Sequence, residues 1–380
     1  MNKKITVQLE SGRTNMSIKT KIPVLAKLLS DFNDMEMVAE HDLKLLPPKG
    51  LAHDHISIGG RNLLLRVPKQ SQMALDAEKN LIYQAACFKK ATPSGHTPKL
   101  HHIIYPSTDL PMGALIVEEI KGESLKLPDF SSAMATALAS IHSLPVPKEN
   151  DRAPLINPRD AVNETFMEVM EQSAFLANAN LEYDSEHQIR EELSYAGNLL
   201  SRKKKPPVSL ITFDAHPGNF LITPKQDAIL VDLEKARYGI PAYDLAHATL
   251  YTSTTWEKDN SFILNPDQVA SFYSDWIEKI PKELAIELKP WLIDLRRTMW
   301  LWSVTWCAKW RVRSKAPANR TFQSGASTED WSEDITDSSV VAHVRNRVDH
   351  YLDPNTIENV RKEWLTNNAL TDFLHYSPAS

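Results

Sequence analysis

The stretch from Asp214 to Asp232 constrains this chain more than any other. It reads Asp214-Ala215-His216-Pro217-Gly218-Asn219, then Phe220-Leu221-Ile222-Thr223, a polar turn at Pro224-Lys225-Gln226-Asp227, and Ala228-Ile229-Leu230-Val231-Asp232. Two short apolar runs around a turn predict a hairpin. The run Val208 to Thr212 before them predicts a strand that delivers Asp214 to the surface of a cleft. Pro217 and Gly218 force the segment between to curl, so Asp214 and Asn219 face one pocket. Asp232 then arrives beside Asn219 at the end of the returning strand. Asn and Asp are common turn formers, and their spacing alone would not carry a functional reading. Convergence of all three does. One carboxylate can accept the proton of an attacking hydroxyl, while an amide and a second carboxylate hold magnesium against nucleotide phosphates. The chemistry expected is phosphoryl transfer.

At these residues the chain resembles the aminoglycoside phosphotransferase / choline kinase family, which has a protein-kinase-like fold. The family loop typically reads His-Gly-Asp-x-His-Pro-Gly-Asn, followed by Ile-Asp-x-Glu. Here it reads Thr212-Phe213-Asp214-Ala215-His216-Pro217-Gly218-Asn219, then Val231-Asp232-Leu233-Glu234. Downstream, Gly239-Ile240-Pro241-Ala242-Tyr243-Asp244-Leu245-Ala246 is similar to a family segment whose Asp braces the catalytic loop. Thr212-Phe213 in place of His-Gly is the departure, and it bears on loop geometry and turnover.

The rest of the chain is consistent with a two-lobed enzyme. With 380 residues, 42% of them hydrophobic, it can bury a large core. Net charge is -5 with mixed signs, which argues against nucleic acid as a partner. No apolar run reaches membrane-spanning length, and the first ten residues lack the apolar core of a signal peptide. Cys87 and Cys307 are the only cysteines, too few for a disulfide framework, which suits a cytoplasmic location.

The expected fold is α+β: a small β-rich lobe over 1–119 and a larger, mostly helical lobe over 120–380. Helical spacing marks Pro23 to Phe32 and Gln72 to Phe88, and strand signals mark Asp42 to Leu46, His53 to Ile58, Asn62 to Val67 and Ala114 to Glu119. The resemblance assigns Pro47 to Asp54 as the loop over the phosphates. It assigns Arg66 as the cation on the α and β phosphates, with Lys69 second, and Glu78 as the helix carboxylate that orients it. Alternation along Leu63-Leu64-Leu65-Arg66-Val67 would place Arg66 on one defined face. Leu115 to Glu123 resembles the family hinge, where the backbone from Glu118 to Ile120 would bond adenine. His142 ends a helix over Met134 to Leu144 and reads as a buried histidine.

Helices are expected over Ala161 to Glu182, Ser185 to Leu200, Pro266 to Lys279, Lys282 to Lys309, and again beyond Val340. Arg202 to Lys205 reads as a solvated turn, and the acidic stretch Ser324 to Ser339 as a surface loop. Trp302, Trp306 and Trp310 share one helix face. Core packing explains such a face, and so does an acceptor pocket in which indoles and a carboxylate such as Glu234 receive an ammonium group.

The expectation is an ATP- and magnesium-dependent kinase for a small-molecule hydroxyl, with an amino alcohol of the choline or ethanolamine kind as acceptor. Asp214 would be the base, Asn219 and Asp232 the metal ligands, and Arg66, Glu78, Glu118 and Ile120 the nucleotide contacts. Glu234, Trp302 and Trp306 would meet the acceptor. An aminoglycoside-modifying kinase and a catalytically inactive nucleotide-binding protein are the alternatives. Oligomeric state is open.

Overall fold

A computed structural model describes residues 18–35, 37–47, 52–69, 71–314 and 338–377. Residues 48–51 of the expected phosphate loop, and the acidic stretch as far as 337, lie outside these.

Five strands form an antiparallel sheet in the order β1-β2-β3-β5-β4: β1 (Leu43–Leu45), β2 (His53–Ile58), β3 (Leu63–Pro68), β4 (Leu100–Ile104) and β5 (Ala114–Glu118). The β2–β3 turn works because Gly60 and Asn62 adopt φ of 71° and 52°, the left-handed region that Gly and Asn tolerate. Period-two alternation divides the sheet between two cores. Leu63, Leu65, Val67, Ala114 and Ile116 pack with Leu25 and Leu29 of α1 (Ile22–Leu29). Leu115 and Val117 face the other way, into a core shared with Leu81 and Phe88 of α2 (Ala77–Ala91). Helix α2 starts later than the spacing predicts. Ser71 Oγ accepts the backbone N–H of Met73 and Leu75 in a turn, and Asp76 caps the helix by accepting the Lys79 N–H at 2.9 Å. Strand β4 was not expected, since Leu-His-His-Ile-Ile carries no clear alternation.

Beyond Gly122 the chain is mostly helical: α3 (Ser131–His142), α4 (Ala161–Ser173), α5 (Tyr183–Leu199), α6 (Pro241–Thr249), α7 (Tyr251–Thr254), α8 (Pro266–Lys279), α9 (Lys282–Leu288), α10 (Leu292–Arg313), α11 (Ser338–Tyr351), α12 (Pro354–Leu365) and α13 (Ala369–Leu374). The single helix expected over Lys282 to Lys309 is broken at Lys289–Trp291, where Pro290 lacks the N–H to continue it. Helix α10 packs against α4, α5 and α6, with Leu295, Met299, Trp300, Val304 and Trp310 fully enclosed. Among the described residues no helix is long and apolar enough to cross a membrane.

Short strands carry the motif residues. β6 (Glu123–Ser124), β8 (Phe220–Ile222) and β9 (Ala228–Leu230) form one sheet, and β7 (Ser209–Ile211) pairs with β10 (Arg237–Gly239). Gly122 lets the chain enter β6 against β8, because a Cβ there would lie 2.5 Å from the Ile222 carbonyl oxygen.

Candidate active site

β7 delivers Thr212-Phe213-Asp214, and a buried relay holds that segment from behind. The Asp244 carboxylate, in the first turn of α6, accepts the backbone N–H of Thr212 at 2.7 Å and of Phe213 at 2.8 Å. His142, at the end of α3, lies 3.0 Å away on the other side. The Trp276 indole N–H donates to His142 Nδ1 at 3.0 Å, so the imidazole proton sits on Nε2 and is donated to Asp244. Asp244 thus stands where a loop brace was expected, and His142 is buried.

Phe213 occupies the position where the resembled loops carry glycine, and it adopts a left-handed φ of 55°. That conformation costs a non-glycine residue about 1–2 kcal/mol. The two bonds from Asp244 help to hold it. So does the ring, which is buried nearly perpendicular to Tyr243 and Trp302, with the Arg237 guanidinium 3.8 Å from its centroid.

The curl after Asp214 is closed by local bonds. His216 Nδ1 accepts the Gly218 N–H, and the Asn219 side-chain amide donates to the Asp214 carbonyl at 2.8 Å. The Val231 N–H bonds the Asn219 carbonyl at 2.9 Å and fixes Asp232 beside it. Asn219 therefore keeps its amide oxygen for a ligand. The contacts that Asp232 receives from Arg66 and from the Glu234 N–H both fall on Oδ1.

Arg66 faces the cleft, as the alternation requires. Only 3% exposed, it places Nη2 2.9 Å from Asp232 Oδ1 and donates from Nη1 to the Val231 carbonyl at 3.1 Å. Burial pushes the Asp232 carboxyl up, but Arg66, His53 and Lys235 together outweigh burial and hold it well below the usual carboxylate range. Glu78 does not serve Arg66. It lies exposed in the first turn of α2, because that helix begins only at Ala77. Inward-facing Gln84 instead reaches His53 Nε2 at 3.1 Å, and His53 Nδ1 lies 3.3 Å from Arg66. Burial and the neighbouring Arg66 push His53 far below its ordinary value, so it is neutral. Lys69 pairs with Asp54 at 3.0 Å, away from the carboxylates of the hairpin.

After Asp232 a tight turn, closed by the Ala236 N–H on the Leu233 carbonyl at 3.0 Å, sends Glu234 and Lys235 to different sides. Glu234 goes under the hairpin. It is 3% exposed, 3.8 Å from His53, and neither carboxyl oxygen has a hydrogen-bond partner among the described residues. Burial, with the Asp232 charge beside it, pushes its carboxyl up to about 8. This places Glu234 against β2 of the five-stranded sheet, and the expected role in an acceptor pocket does not survive that position.

Lys235 is the site residue that sequence reasoning missed. Its Nζ lies 2.9 Å from Asp214 Oδ2, with the two side chains 22% and 18% exposed. Burial opposes the charge on Lys235, but Asp214 and Glu234 more than compensate and raise its pKa. For Asp214, burial pushes up while Lys235, His216 and His247 together hold the carboxyl below its usual range. His247, one turn after Asp244 on α6, sits 4.0 Å from Asp214; burial pushes its own pKa down to about 4.

The tryptophans divide. Trp300 and Trp310 are core. Trp302 is half-buried, its indole N–H donates to Glu168 at 3.0 Å, and Glu168 is paired with Arg237 at 2.7 Å. Trp306, also half-buried, meets Trp256 edge-on with ring centroids 6.0 Å apart. At the chain crossing, the Glu118 N–H bonds the Lys99 carbonyl and the Glu119 N–H the Asn62 carbonyl. The Ile120 N–H has no backbone partner among the described residues.

Comparison with known proteins bears on the fold and the family. The chain is similar to a choline/ethanolamine kinase family protein from Mesorhizobium loti at 14% identity, covering 94% of this chain and 98% of that one, with a TM-score of 0.56. It is similar to a Plasmodium vivax ethanolamine kinase at 13% identity, covering 90% of each chain, with a TM-score of 0.58. An aminoglycoside 2'-phosphotransferase-IIIa in complex with GDP matches at 12% identity, over 87% of this chain and 98% of that one, with a TM-score of 0.55. These likenesses show a protein-kinase-like fold. No match was found among curated proteins. Residues 26–273 match the phosphotransferase enzyme family, and the chain belongs to that family.

Proposed function

We propose that this protein is a magnesium-dependent kinase that transfers the γ-phosphoryl group of ATP to the hydroxyl of a small molecule, between a small lobe over 1–119 and a larger one over 120–380. The observation that carries this reading is the convergence of Asp214, Asn219 and Asp232 on one braced hairpin, with Arg66 reaching Asp232 from the sheet. Asp214 accepts the hydroxyl proton. Its depressed pKa keeps it ionised and ready at neutral pH. The Asn219 amide oxygen and the Asp232 carboxylate are the hard oxygen donors that magnesium takes, and the phosphates and water complete its shell. Bound magnesium would draw charge from the phosphates during transfer. Arg66 retains a buried Nε–H without a partner among the described residues, a donor suited to phosphate oxygen. The Ile120 N–H is the hinge group open to adenine, whereas the Glu118 N–H is engaged in the sheet.

For the acceptor, the amine-bearing class draws support from the half-buried indoles of Trp302 and Trp306 and from the names of the structural neighbours. It loses the carboxylate of Glu234. Lys235 adds a constraint, since an ammonium next to the reacting hydroxyl would lie beside a second cation. Amines several bonds away from the hydroxyl fit better, which keeps an aminoglycoside-like acceptor in view. A catalytically inactive reading has one observation behind it: the Asp214 carboxylate is already paired with Lys235.

The test is γ-phosphate transfer from ATP to a panel of amino alcohols, sugars and aminoglycosides, with magnesium and with EDTA. Turnover of any acceptor with magnesium alone supports the kinase. Nucleotide binding without turnover of any of them supports the inactive reading. Equal thermal stabilisation by ATP with magnesium and with EDTA would count against the metal site.

A further inference from the structure

We propose that Lys235 is a catalytic residue of this site, whose ammonium moves from Asp214 onto the terminal phosphate of bound ATP and stays there during transfer. The inference rests on the kinase reading above. Its ground is position. Lys235 stands in the turn that follows Asp232, and its Nζ reaches back to Asp214 Oδ2 at 2.9 Å. Its backbone thus follows the metal-taking carboxylate by three residues while its head group rests on the proton-taking one, and the phosphoryl group must pass from the metal to the acceptor held by that base. The other cation at these carboxylates, Arg66, is enclosed and bonded to Asp232 and to the Val231 carbonyl. Lys235 is built differently, with a flexible stem, a partly exposed head and an ammonium carrying three donors. Asp214 holds the ammonium through one of them in the free protein, and phosphate oxygens can take it over with the others.

The electrostatics agree, because the Lys235 charge lowers both Asp214 and Asp232. In the reaction, the bond from the γ-phosphorus to the β–γ bridging oxygen breaks and its electron pair leaves with ADP. The acceptor oxygen forms the new bond to phosphorus, and its proton passes to Asp214. Lys235 keeps its proton throughout and meets the negative charge on the transferring oxygens. A cation in this place also answers the paired state of the base: when phosphate draws Lys235 away, Asp214 is released for the acceptor hydroxyl.

A terminal-phosphate contact makes a difference between two ligands that is visible without turnover. ATP carries the phosphate in question and ADP does not. A hydrogen bond between charged groups is worth about tenfold to a hundredfold in affinity. In magnesium buffer, Lys235→Met should weaken ATP by about that factor and leave ADP within about twofold, and Lys235→Arg should recover most of the loss. The variant also leaves Asp214 unpaired, which would itself repel ATP. The pair Asp214→Asn and Asp214→Asn/Lys235→Met removes that effect. In the asparagine background, loss of Lys235 should still lower the ATP-to-ADP affinity ratio. An unchanged ratio there overturns the proposal and leaves Lys235 as a partner of Asp214 only. If the methionine variant does not fold, the arginine variant and Lys235→Gln carry the same comparison. Failure of the unaltered protein to bind ATP at all would overturn the kinase reading itself, so the two failures are distinguishable.

Discussion

Two carboxylate–cation pairs, Asp232–Arg66 and Asp214–Lys235, stand at the motif carboxylates, and their cations are held in different ways. Asp232–Arg66 joins the hairpin to β3 of the five-stranded sheet. Its arginine is enclosed, bonded also to the Val231 carbonyl, close to His53, and 5.6 Å above the Phe88 ring. Asp214–Lys235 joins two segments of the same loop region, through a long side chain and with both groups partly open to water. A pair fully exposed to water contributes about 0–1 kcal/mol to stability, and Asp214–Lys235, 18% and 22% exposed, stands between that case and a buried pair. Breaking a buried pair by removing one member costs about 3–5 kcal/mol, because a buried charge is left alone. The contrast separates fixing from reacting: one pair sets where the metal-binding carboxylate stands, and the other is loose enough to exchange partners.

The largest effect expected is at the loose pair, and on rate. Asp214→Asn should lower kcat by about 100- to 10,000-fold, the usual contribution of a positioned base, and leave the melting temperature within a few degrees. A variant that keeps full turnover would break the contrast at its centre. Asp232→Ala should show the opposite profile. Arg66 then loses its carboxylate, and because Asp232 is itself 26% exposed the loss should be near the lower bound, about 2–3 kcal/mol by denaturant titration. Magnesium-dependent nucleotide binding should also be lost. Adding Arg66→Met to this variant should restore stability and not binding, since an uncharged pair removes the buried charge and supplies no metal ligand.

His247 sharpens the comparison through pH. Its folded pKa is depressed from 6.5 to about 4 by burial. A depressed histidine favours the folded state when neutral, so its contribution is whole above pH 6.5 and is lost as pH falls toward 4. Relative to His247→Gln, the unaltered protein should lose about 2 kcal/mol between pH 7 and pH 4.5. A gap between the two proteins that stays constant with pH would mean that Asp214 fully offsets the burial of His247 and leaves its pKa unshifted on folding, and the base side of the cleft would be more tightly bound than its exposure suggests.

The legible parts of this molecule are those that local chemistry decides. β2 falls over His53–Ile58 and α8 over Pro266–Lys279 as expected, one from a β-rich run bounded by a Gly-Gly turn, the other from an Asn265 cap followed by Pro266. Asp214, Asn219 and Asp232 were legible because proline, glycine and a turn fix their spacing. Glu78 and Lys235 were not, because each depends on where a turn starts. Asp76 delays α2 and leaves Glu78 on its outer first turn, while the Leu233–Ala236 turn sends Glu234 inward and Lys235 to the base. The family match ends at residue 273, ahead of α10, so it does not reach the wall carrying Trp302 and Trp306.

That wall gives a smaller prediction. Trp302→Leu removes the bond to Glu168 and the edge contact with Phe213, and should cost about 1–3 kcal/mol of stability. Trp306→Leu removes its edge contact with Trp256, keeps apolar volume against the core and breaks no hydrogen bond to Glu168, so it should cost less. If indoles receive an acceptor ammonium, the second variant should raise acceptor KM about tenfold or more, since a desolvated cation on an indole face is worth about 2 kcal/mol. ATP KM should not move.

The smallest effect expected is at Glu78, and it tests the fixed pair from outside. Glu78 is exposed, and Arg66 already has Asp232, the Val231 carbonyl and His53 around its guanidinium. Glu78→Ala should therefore change stability by less than about 0.5 kcal/mol and leave ATP KM and kcat as they are. Gln84→Leu is the informative companion. Its side chain is enclosed, and its removal leaves the His53 Nε2–H without the acceptor 3.1 Å away. An unpaired buried donor costs about 1–3 kcal/mol, and a loosened His53 should let Arg66 drift from Asp232. If Glu78→Ala instead raised ATP KM and Gln84→Leu did not, α2 would have to turn when nucleotide binds, bringing Glu78 to Arg66. The Asp232–Arg66 pair would then be an exchanging contact as well, and the difference between the two sides of the cleft would vanish in the bound state.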